Sequence, residues 1–148
     1  MQERTFIQRK VFGLSVTTSN ADEVDPEKAK IPQLWQSFHQ SRPISDSGDA
    51  GDALFFGIYT NYESDYLGAF DVFVGSQTSS SPTLSEMTIP SGQYLVFSAQ
   101  GEMPQAVIDL WGVIWRFFDD TNCPYVRKYT TDFECYLSEN EVDIYIAV

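Results

Sequence analysis

The chain has 148 residues, of which 43% are hydrophobic and 20% charged, a composition that suits one globular domain able to bury roughly 68–70% of its unfolded surface. Its nine Lys and Arg against 21 Asp and Glu give a formal net charge of -12, which repels a phosphate backbone and argues against direct DNA binding. No apolar run reaches the roughly 18–20 residues of a membrane span, and the start lacks the apolar stretch of a signal peptide, so we expect a soluble, cytoplasmic protein without a membrane partner.

The first half of the chain is predicted to form a strand, a helix and two strands. We place a strand over 4–17, a helix over 26–40 and strands over 53–61 and 69–75. Asp25 is a suitable N-cap for the helix, and Pro26, which follows it, stands near the first turn, where a missing N–H costs nothing. Pro32 lies inside the apolar pattern of this helix and would kink or delay it, so an alternative is that the helix starts at Pro32 itself. The acidic loop 46–52 lacks the spacing of a calcium site and is expected to be flexible and solvated.

The second half repeats this order after a polar connection over 75–82 that contains Gly and Pro. We place a strand over 92–101, a helix over 104–118 and strands over 125–137 and 142–148. Pro104 stands near the first turn of the second helix, where a missing N–H costs nothing. Apolar side chains three and four residues apart form one wide face of this helix: Val107, Leu110, Trp111, Ile114, Trp115 and Phe118.

An internal repeat relates the two halves. Leu-Trp in the first helix matches Leu-Trp in the second, DVFV over 71–74 matches DIYI over 143–146, and Tyr59-Thr60 matches Tyr129-Thr130. Each half has about 70 residues and one helix, so burying both apolar helix faces requires the halves to pack together. We therefore predict an α+β fold built from a duplicated strand-helix-strand-strand unit. It forms a single domain over 1–148, with repeats over about 4–75 and 83–148.

Cysteine and histidine offer no catalytic or metal site in this sequence. The two cysteines, Cys123 and Cys135, match no metal-ligand spacing, so we expect reduced, packed thiols. His39 is the sole histidine and has no nucleophile motif beside it, so we expect it at the surface or the edge of the core. Motifs for phosphate, dinucleotide or catalytic zinc binding are missing as well. We predict no catalytic residue, no metal and no cofactor.

Glu134 is the unusual residue. Strand alternation places Asp132, Glu134 and Tyr136 on one face, with Phe133 and Cys135 on the other. Either Phe133 faces the interior and Glu134 is exposed to solvent, or Glu134 points into a cleft walled by Trp and Tyr. The second arrangement suits an organic cation, because aromatic faces attract a cation by about 0.5–2 kcal/mol each and a partly buried carboxylate disfavours neutral or anionic isosteres.

Several motifs together resemble the GyrI-like small-molecule-binding domains, which include the DNA gyrase inhibitory protein and the effector-binding domains of AraC-type and MerR-type multidrug regulators. They are IPSGQY over 89–94, RKYTTDFECY over 127–136 and the terminal DIYIAV, with IPQLWQSF and GIYTNYESD in the first half. The resemblance implies an antiparallel sheet, two main helices and a ligand cleft between the halves.

The resemblance also implies which residues form the cleft. The Glu of the DFE-x-Y strand, here Glu134, is the acidic residue that contacts cationic or lipophilic ligands. Aromatic residues of both helices and neighbouring strands are expected to line the cleft: Trp35, Phe38, Tyr59, Trp111 and Tyr145. In one departure, Ala147 stands where many relatives have Pro, which affects the end of the last strand.

The leading interpretation is a stand-alone binding module for hydrophobic, cationic small molecules, which would bind or sequester a drug or a toxic compound. One alternative is a protein-interaction module similar to the gyrase inhibitor, in which the acidic surface binds a basic partner. Another is a hydrolase of small electrophiles with Glu134 as general base. The expected partner is thus a lipophilic cation, while a protein partner, or a homodimer through an unpaired edge strand, stays open.

Overall fold

The computed structural model describes residues 1–40, 54–65, 67–77 and 83–148, so the acidic loop 46–52 lies outside the described residues. Eight strands and three helices run through the described part. In chain order they are β1 Gln2–Phe6, β2 Arg9–Ser19, α1 Asn20–Glu23, α2 Ile31–Gln40, β3 Phe55–Thr60, β4 Ala69–Ser76, β5 Ser85–Ile89, β6 Gly92–Gln100, α3 Gln105–Asp119, β7 Thr131–Ser138 and β8 Glu141–Ala147.

The eight described strands form one sheet in the order β1-β6-β8-β7-β3-β4-β2-β5. Every neighbouring pair is antiparallel, and the sheet curls into a half-barrel. The central pair joins the halves, because β3 belongs to the first and β7 to the second. Each half also lends its first strand to the other, since β1 pairs with β6 and β5 pairs with β2. The predicted α+β fold with an antiparallel sheet is confirmed.

Strand pairing relates the two halves residue by residue. Tyr59 pairs with the second residue of the DVFV segment on β4 and with Asp132 on β7. Glu134 pairs with the second residue of the DIYI segment on β8 and with Gly57 on β3. Tyr59 and Glu134 therefore occupy equivalent positions, as do Gly57 and Asp132. The match of Tyr59 with Tyr129 is wrong, because Tyr129 precedes β7.

Both faces of the sheet are covered, which lets strands bury side chains on either side. One face carries a core cluster with Phe6 packed against it: Val11, Phe56, Ile58, Phe73, Ile89, Tyr94, Val96, Phe133, Cys135, Tyr145 and Ala147. On the helix face, α3 covers Leu95, Phe97, Val142, Ile144 and Ile146. On the same face, α2 covers Phe70, Val72 and Val74.

The strand predicted over 4–17 is two strands in the structure, which is a correction. Ile7 is 80% exposed, and the backbone N–H of Gln8 donates to Ser91 Oγ at 2.8 Å. The chain therefore leaves one edge of the sheet after β1 and crosses to β2, which lies between β4 and β5 near the other edge. Two further differences concern the second half. The strand β5 was not predicted, and the strand placed over 125–137 begins only at Thr131.

The first long helix begins later than the predicted 26–40. It starts at Ile31, with Pro32 in its first turn, as the alternative start indicated. Asp25 caps only a short turn, since its Oδ1 accepts from Glu27 N–H at 3.0 Å.

The N-terminus of α2 is capped by a residue outside the helix. Glu23 Oε2 accepts from the N–H of Lys30 at 2.9 Å, and Oε1 accepts from the N–H of Ile31 at 3.1 Å. Thr18 Oγ1 also donates to Glu23 Oε2, at 2.6 Å. These bonds satisfy N–H groups that a helix start leaves without an internal partner, and the negative charge suits the positive end of the helix dipole.

The remaining sequence expectations concern the thiols and membrane spans. Cys123 and Cys135 are free cysteines, and burial raises the pKa of Cys135 to about 12. His39 lies on α2 with its ring stacked against Trp35 and is exposed. None of the helices described has the length and hydrophobicity needed to cross a membrane.

Candidate functional site

Glu134 lies on the central strand β7 and is buried, with 3% of its surface exposed. Phe133, which points to the opposite face, is 0% exposed. The choice between a buried Phe133 and a buried Glu134 is therefore a false one. Because core clusters cover both faces of this sheet, adjacent residues on its central strand are both removed from solvent.

Three donors from three elements hold the Glu134 carboxylate. Tyr59 on β3 donates its hydroxyl to Oε2 at 2.8 Å, and Trp111 on α3 donates its indole N–H to the same oxygen at 2.7 Å. Tyr136 on β7 donates its hydroxyl to Oε1 at 2.8 Å. The N–H···O distance from Trp111 is short, as charge-assisted bonds are, and the two O–H···O distances are ordinary hydrogen-bond lengths. Three donors thus converge on the carboxylate.

Burial and hydrogen bonding act in opposite directions on Glu134. Burial raises the pKa of its carboxyl, and the hydrogen bonds from Trp111, Tyr59 and Tyr136 lower it, with the net pKa above the usual value. Burial also raises the pKa values of Tyr59 and Tyr136, and the nearby carboxylate raises them further. Both phenols therefore stay protonated and act as donors at neutral pH.

Trp35 and Gly57 complete the surroundings of the carboxylate. Gly57 on β3 pairs directly with Glu134. A Cβ at Gly57 would lie 2.7 Å from Glu134 Oε1 and 3.3 Å from Cζ2 of Trp35. The Trp35 ring also meets Tyr136 edge to face, with 5.5 Å between ring centroids. Trp35 from α2 and Trp111 from α3 thus approach the same carboxylate from the two helices, on the face where the halves join.

Three of the aromatic residues expected in the cleft gather around Glu134. Tyr59 and Trp111 hydrogen-bond to it, and Trp35 packs beside it over Gly57. The Trp111 ring also lies 6.2 Å from that of Trp115, whose residue is 47% exposed. Aromatic surface is therefore continuous from the buried carboxylate to solvent.

Two of the expected residues lie elsewhere. Tyr145 is on the opposite face of the sheet, where its ring stacks on Phe133 at 4.4 Å and Arg4 Nη1 donates to its hydroxyl. Its expected place in the cleft is corrected, because residue 144 and not 145 shares the face of its strand partner Glu134. Phe38 is fully buried on α2 and packs on Trp35 and Phe55. It therefore contacts a residue of the site, Trp35, from the core.

Two residues at the site were not singled out from the sequence. Tyr136 could have been, because strand alternation already placed it on the face of Glu134. Gly57 could not, because its proximity to the carboxylate depends on the register between β3 and β7, which join distant parts of the chain.

A second buried carboxylate lies two residues before Glu134 on the same face. Asp132 Oδ2 accepts from Arg127 Nη2 at 2.7 Å and from the Tyr62 hydroxyl at 2.7 Å. The Arg127 guanidinium also sits 4.4 Å from the ring centroid of Tyr129. Asp132 is thus paired with a cation that rests on an aromatic ring.

Ala147, which stands where many relatives have Pro, contacts Asp132. Its backbone N–H donates to Asp132 Oδ1 at 2.9 Å within the protein interior. Proline at this position would remove that donor and leave Asp132 with one hydrogen bond fewer. Among the described residues, no group of three His, Cys, Asp or Glu side chains is arranged to hold a metal ion.

A family model described as an integron-associated effector binding protein matches residues 7–148. The comparison with curated proteins gives no match. An integron cassette protein from the mobile metagenome of Vibrio cholerae is 45% identical with a TM-score of 0.89, over 99% of this chain and 94% of that chain.

Two more distant structures share the fold. SAV2435, solved bound to tetraphenylphosphonium, is 22% identical with a TM-score of 0.68, over 98% of this chain and 91% of that chain. A protein from Staphylococcus aureus MU50, described as a bacterial transcription regulation protein, is 20% identical with a TM-score of 0.71, over 98% of this chain and 95% of that chain.

Proposed function

The chain belongs to the family of integron-associated effector binding proteins, a GyrI-like family as its motifs predicted, and from this premise we propose that it binds hydrophobic cations with Glu134 as the charged group of the site. Small-molecule binding is the function that the family and its structural neighbours support. The class of ligand and the residues that hold it are the proposal made here.

One observation carries the proposal: Glu134 is a buried carboxylate that has no cationic partner among the described residues. Asp132, two residues away, has the Arg127 guanidinium at 2.7 Å. No Lys or Arg in the described part of the chain forms an ion pair with Glu134, which has only neutral donors. A buried charge without a partner is costly, so a cation from outside would supply what Arg127 supplies to Asp132.

The surroundings favour a lipophilic cation over a hydrated metal ion. Indole and phenol rings offer flat faces that attract an organic cation by about 0.5–2 kcal/mol each, more when water is excluded. Trp35 and Trp111 stand on different helices beside the carboxylate, so rings are available on two sides of a ligand. SAV2435 shares this fold and is bound to tetraphenylphosphonium, which makes that cation a suitable first probe.

The proposal is tested by titrating tetraphenylphosphonium into the wild type and into Glu134→Gln, with calorimetry as the readout. Glutamine keeps the shape of the side chain and removes its charge, so we expect binding to weaken by about 1–3 kcal/mol, the scale of a lost charge-assisted contact. Methyltriphenylphosphonium and neutral triphenylphosphine oxide, similar in shape, measure the contribution of the ligand's charge.

Glu139→Gln is the matched control, because Glu139 is exposed on the surface and the variant loses the same formal charge. We expect it to bind like the wild type and to lose the same small amount of affinity with added salt. Equal affinity of Glu134→Gln and wild type would refute the role of Glu134. If neither phosphonium ion binds the wild type, the ligand class itself is wrong.

A further inference from the structure

The glycine opposite Glu134 occupies a position where any side chain would collide with the site. A Cβ on Gly57 would lie 2.7 Å from Glu134 Oε1 and 3.5 Å from its Cδ. It would also lie 3.3 Å from Cζ2 of Trp35. The first distance is well inside van der Waals contact, so the carboxylate would have to move.

The backbone does not require glycine at this position. Gly57 lies in the middle of β3 and pairs regularly with strands on both sides, and its φ is outside the left-handed region that favours glycine. Its equivalent in the second half is Asp132, which carries a full side chain on the same face of the sheet. Because glycine inside a strand weakens that strand, its presence calls for a local reason.

We propose that Gly57 is a specificity-determining residue of the cation site, because its missing side chain provides the space in which the Glu134 carboxylate lies beneath Trp35. This inference rests on the proposed function. In that space Oε1 is placed to accept from Tyr136, while Oε2 accepts from Tyr59 and Trp111. The glycine thus sets where the negative charge stands relative to the aromatic walls.

The consequence of adding one methyl group follows from these contacts. Oε1 must leave its position, because the added methyl would lie 2.7 Å from it, and Trp35, at 3.3 Å, must give by a few tenths of an ångström. The carboxylate is then displaced from its place beside Trp35. We expect Gly57→Ala to weaken tetraphenylphosphonium binding roughly tenfold or more, on the scale at which contacting residues couple. Neutral triphenylphosphine oxide should lose much less, because it makes no use of the carboxylate.

The test combines Gly57→Ala with Glu134→Asp, which draws the carboxylate back by one methylene and away from the added methyl. In the Glu134→Asp background we expect Gly57→Ala to cost roughly threefold or less. Gly112→Ala on α3 is the matched control, because its added Cβ would meet only the flexible Arg116 side chain, at 3.4 Å. That control should bind like the wild type, and its melting temperature should not fall.

The outcomes separate this inference from the proposed function. If the wild type binds no phosphonium ion, the proposed function fails. If the wild type binds and Gly57→Ala binds equally well, the role of Gly57 is refuted. The role of Gly57 is also refuted if Gly57→Ala weakens binding of the cation and of the neutral ligand equally and does so to the same extent in the Glu134→Asp background. A merely structural role of Gly57 would give that result. Should Gly57→Ala not fold, folding of Gly57→Ala/Glu134→Asp supports the collision with the Glu134 carboxylate, and failure of both variants to fold refutes it.

Discussion

Within the described part of the chain, the carboxylate of Glu134 is stabilised by neutral donors and by no positive charge, which determines how its protonation responds to pH. Because burial raises its pKa above the usual value, the native state holds this proton more tightly than the unfolded chain does. The contribution of Glu134 to the free energy of unfolding is therefore most favourable below the ordinary pKa of a glutamic acid, and it declines as pH rises through the folded-state pKa. Cation binding has the opposite dependence, because it needs the ionised form.

Removing the Tyr136 hydroxyl tests this balance. Its hydrogen bond lowers the pKa of Glu134, so in Tyr136→Phe that pKa rises further. Phosphonium binding should weaken roughly two- to tenfold at neutral pH, and the pH at which binding reaches half its maximum should move upward. The measurement is a series of calorimetric titrations from acidic to neutral pH.

Tyr125→Phe serves as the control for that series, since Tyr125 also donates to a carboxylate, Glu3, but at the surface. Its pH profile should match that of the wild type. A profile of Tyr136→Phe that shifts to lower pH, or stays in place, would show that Tyr136 does not stabilise the charged form of Glu134.

The sequence predicted those site residues that a motif or the alternation of a single strand identifies. The DFE-x-Y motif pointed to Glu134, and strand alternation placed Tyr136 beside it. Tyr145 was misplaced because position in a motif does not say which face of a strand a residue occupies. Gly57 depends on pairing between β3 and β7, which local sequence does not encode.

Among the elements, α2 depends on a cap that comes from before its own start. Glu23 accepts from the backbone N–H of Ile31, the first residue of α2, and from that of Lys30 just before it. The helix carries Trp35 and buries Phe38. The cap therefore fixes the entry of the helix that brings one aromatic wall to Glu134. Stability of the element and geometry of the site are linked through this one carboxylate.

Replacing the cap gives a prediction at this scale. Glu23→Ala should lower the free energy of unfolding by about 0.5–2 kcal/mol, the usual cost of a lost N-cap, and should weaken phosphonium binding through Trp35. Urea denaturation and calorimetric titration measure the two effects. Glu27→Ala, at an exposed position nearby, should change neither, and a stability loss equal in both variants would rule out the capping role.

Helices and strands were predicted where the signal is local. The apolar spacing of α3 located it within one residue at each end, and the repeat located β4 and β8. The split between β1 and β2 was missed because the chain there changes its strand partners from β6 to β4 and β5. Asp25 and Pro26 resembled a helix start but close a turn, because the capping carboxylate that starts α2 belongs to Glu23.

Considered as a whole, the molecule interleaves its two halves. The edge strand of each half comes from the other half, and the site lies on the central pair that joins them. Separating the halves would leave each with a lost edge strand and would uncover one side of Glu134. We therefore propose that residues 1–148 fold and unfold as one unit.

The cooperativity of unfolding checks this. Trp35 reports on the first half, while Trp111 and Trp115 report on the second, so Trp35→Phe and the double variant Trp111→Phe/Trp115→Phe each leave fluorescence from one half. Within each variant, fluorescence and far-ultraviolet circular dichroism should give the same urea midpoint, as expected for a two-state domain. Two separated transitions would show that the halves fold independently.

The equivalence of Tyr59 and Glu134 also has an evolutionary meaning. A symmetric pair of identical half-length chains would bring two copies of the same residue to this position. Two neighbouring carboxylates there would repel each other, and two tyrosines would carry no charge. Fusion of the halves into one gene frees the two positions to diverge, so that one becomes the acid and the other its hydrogen-bond donor. Gene duplication can thereby turn a symmetry axis into a site with a single negative charge.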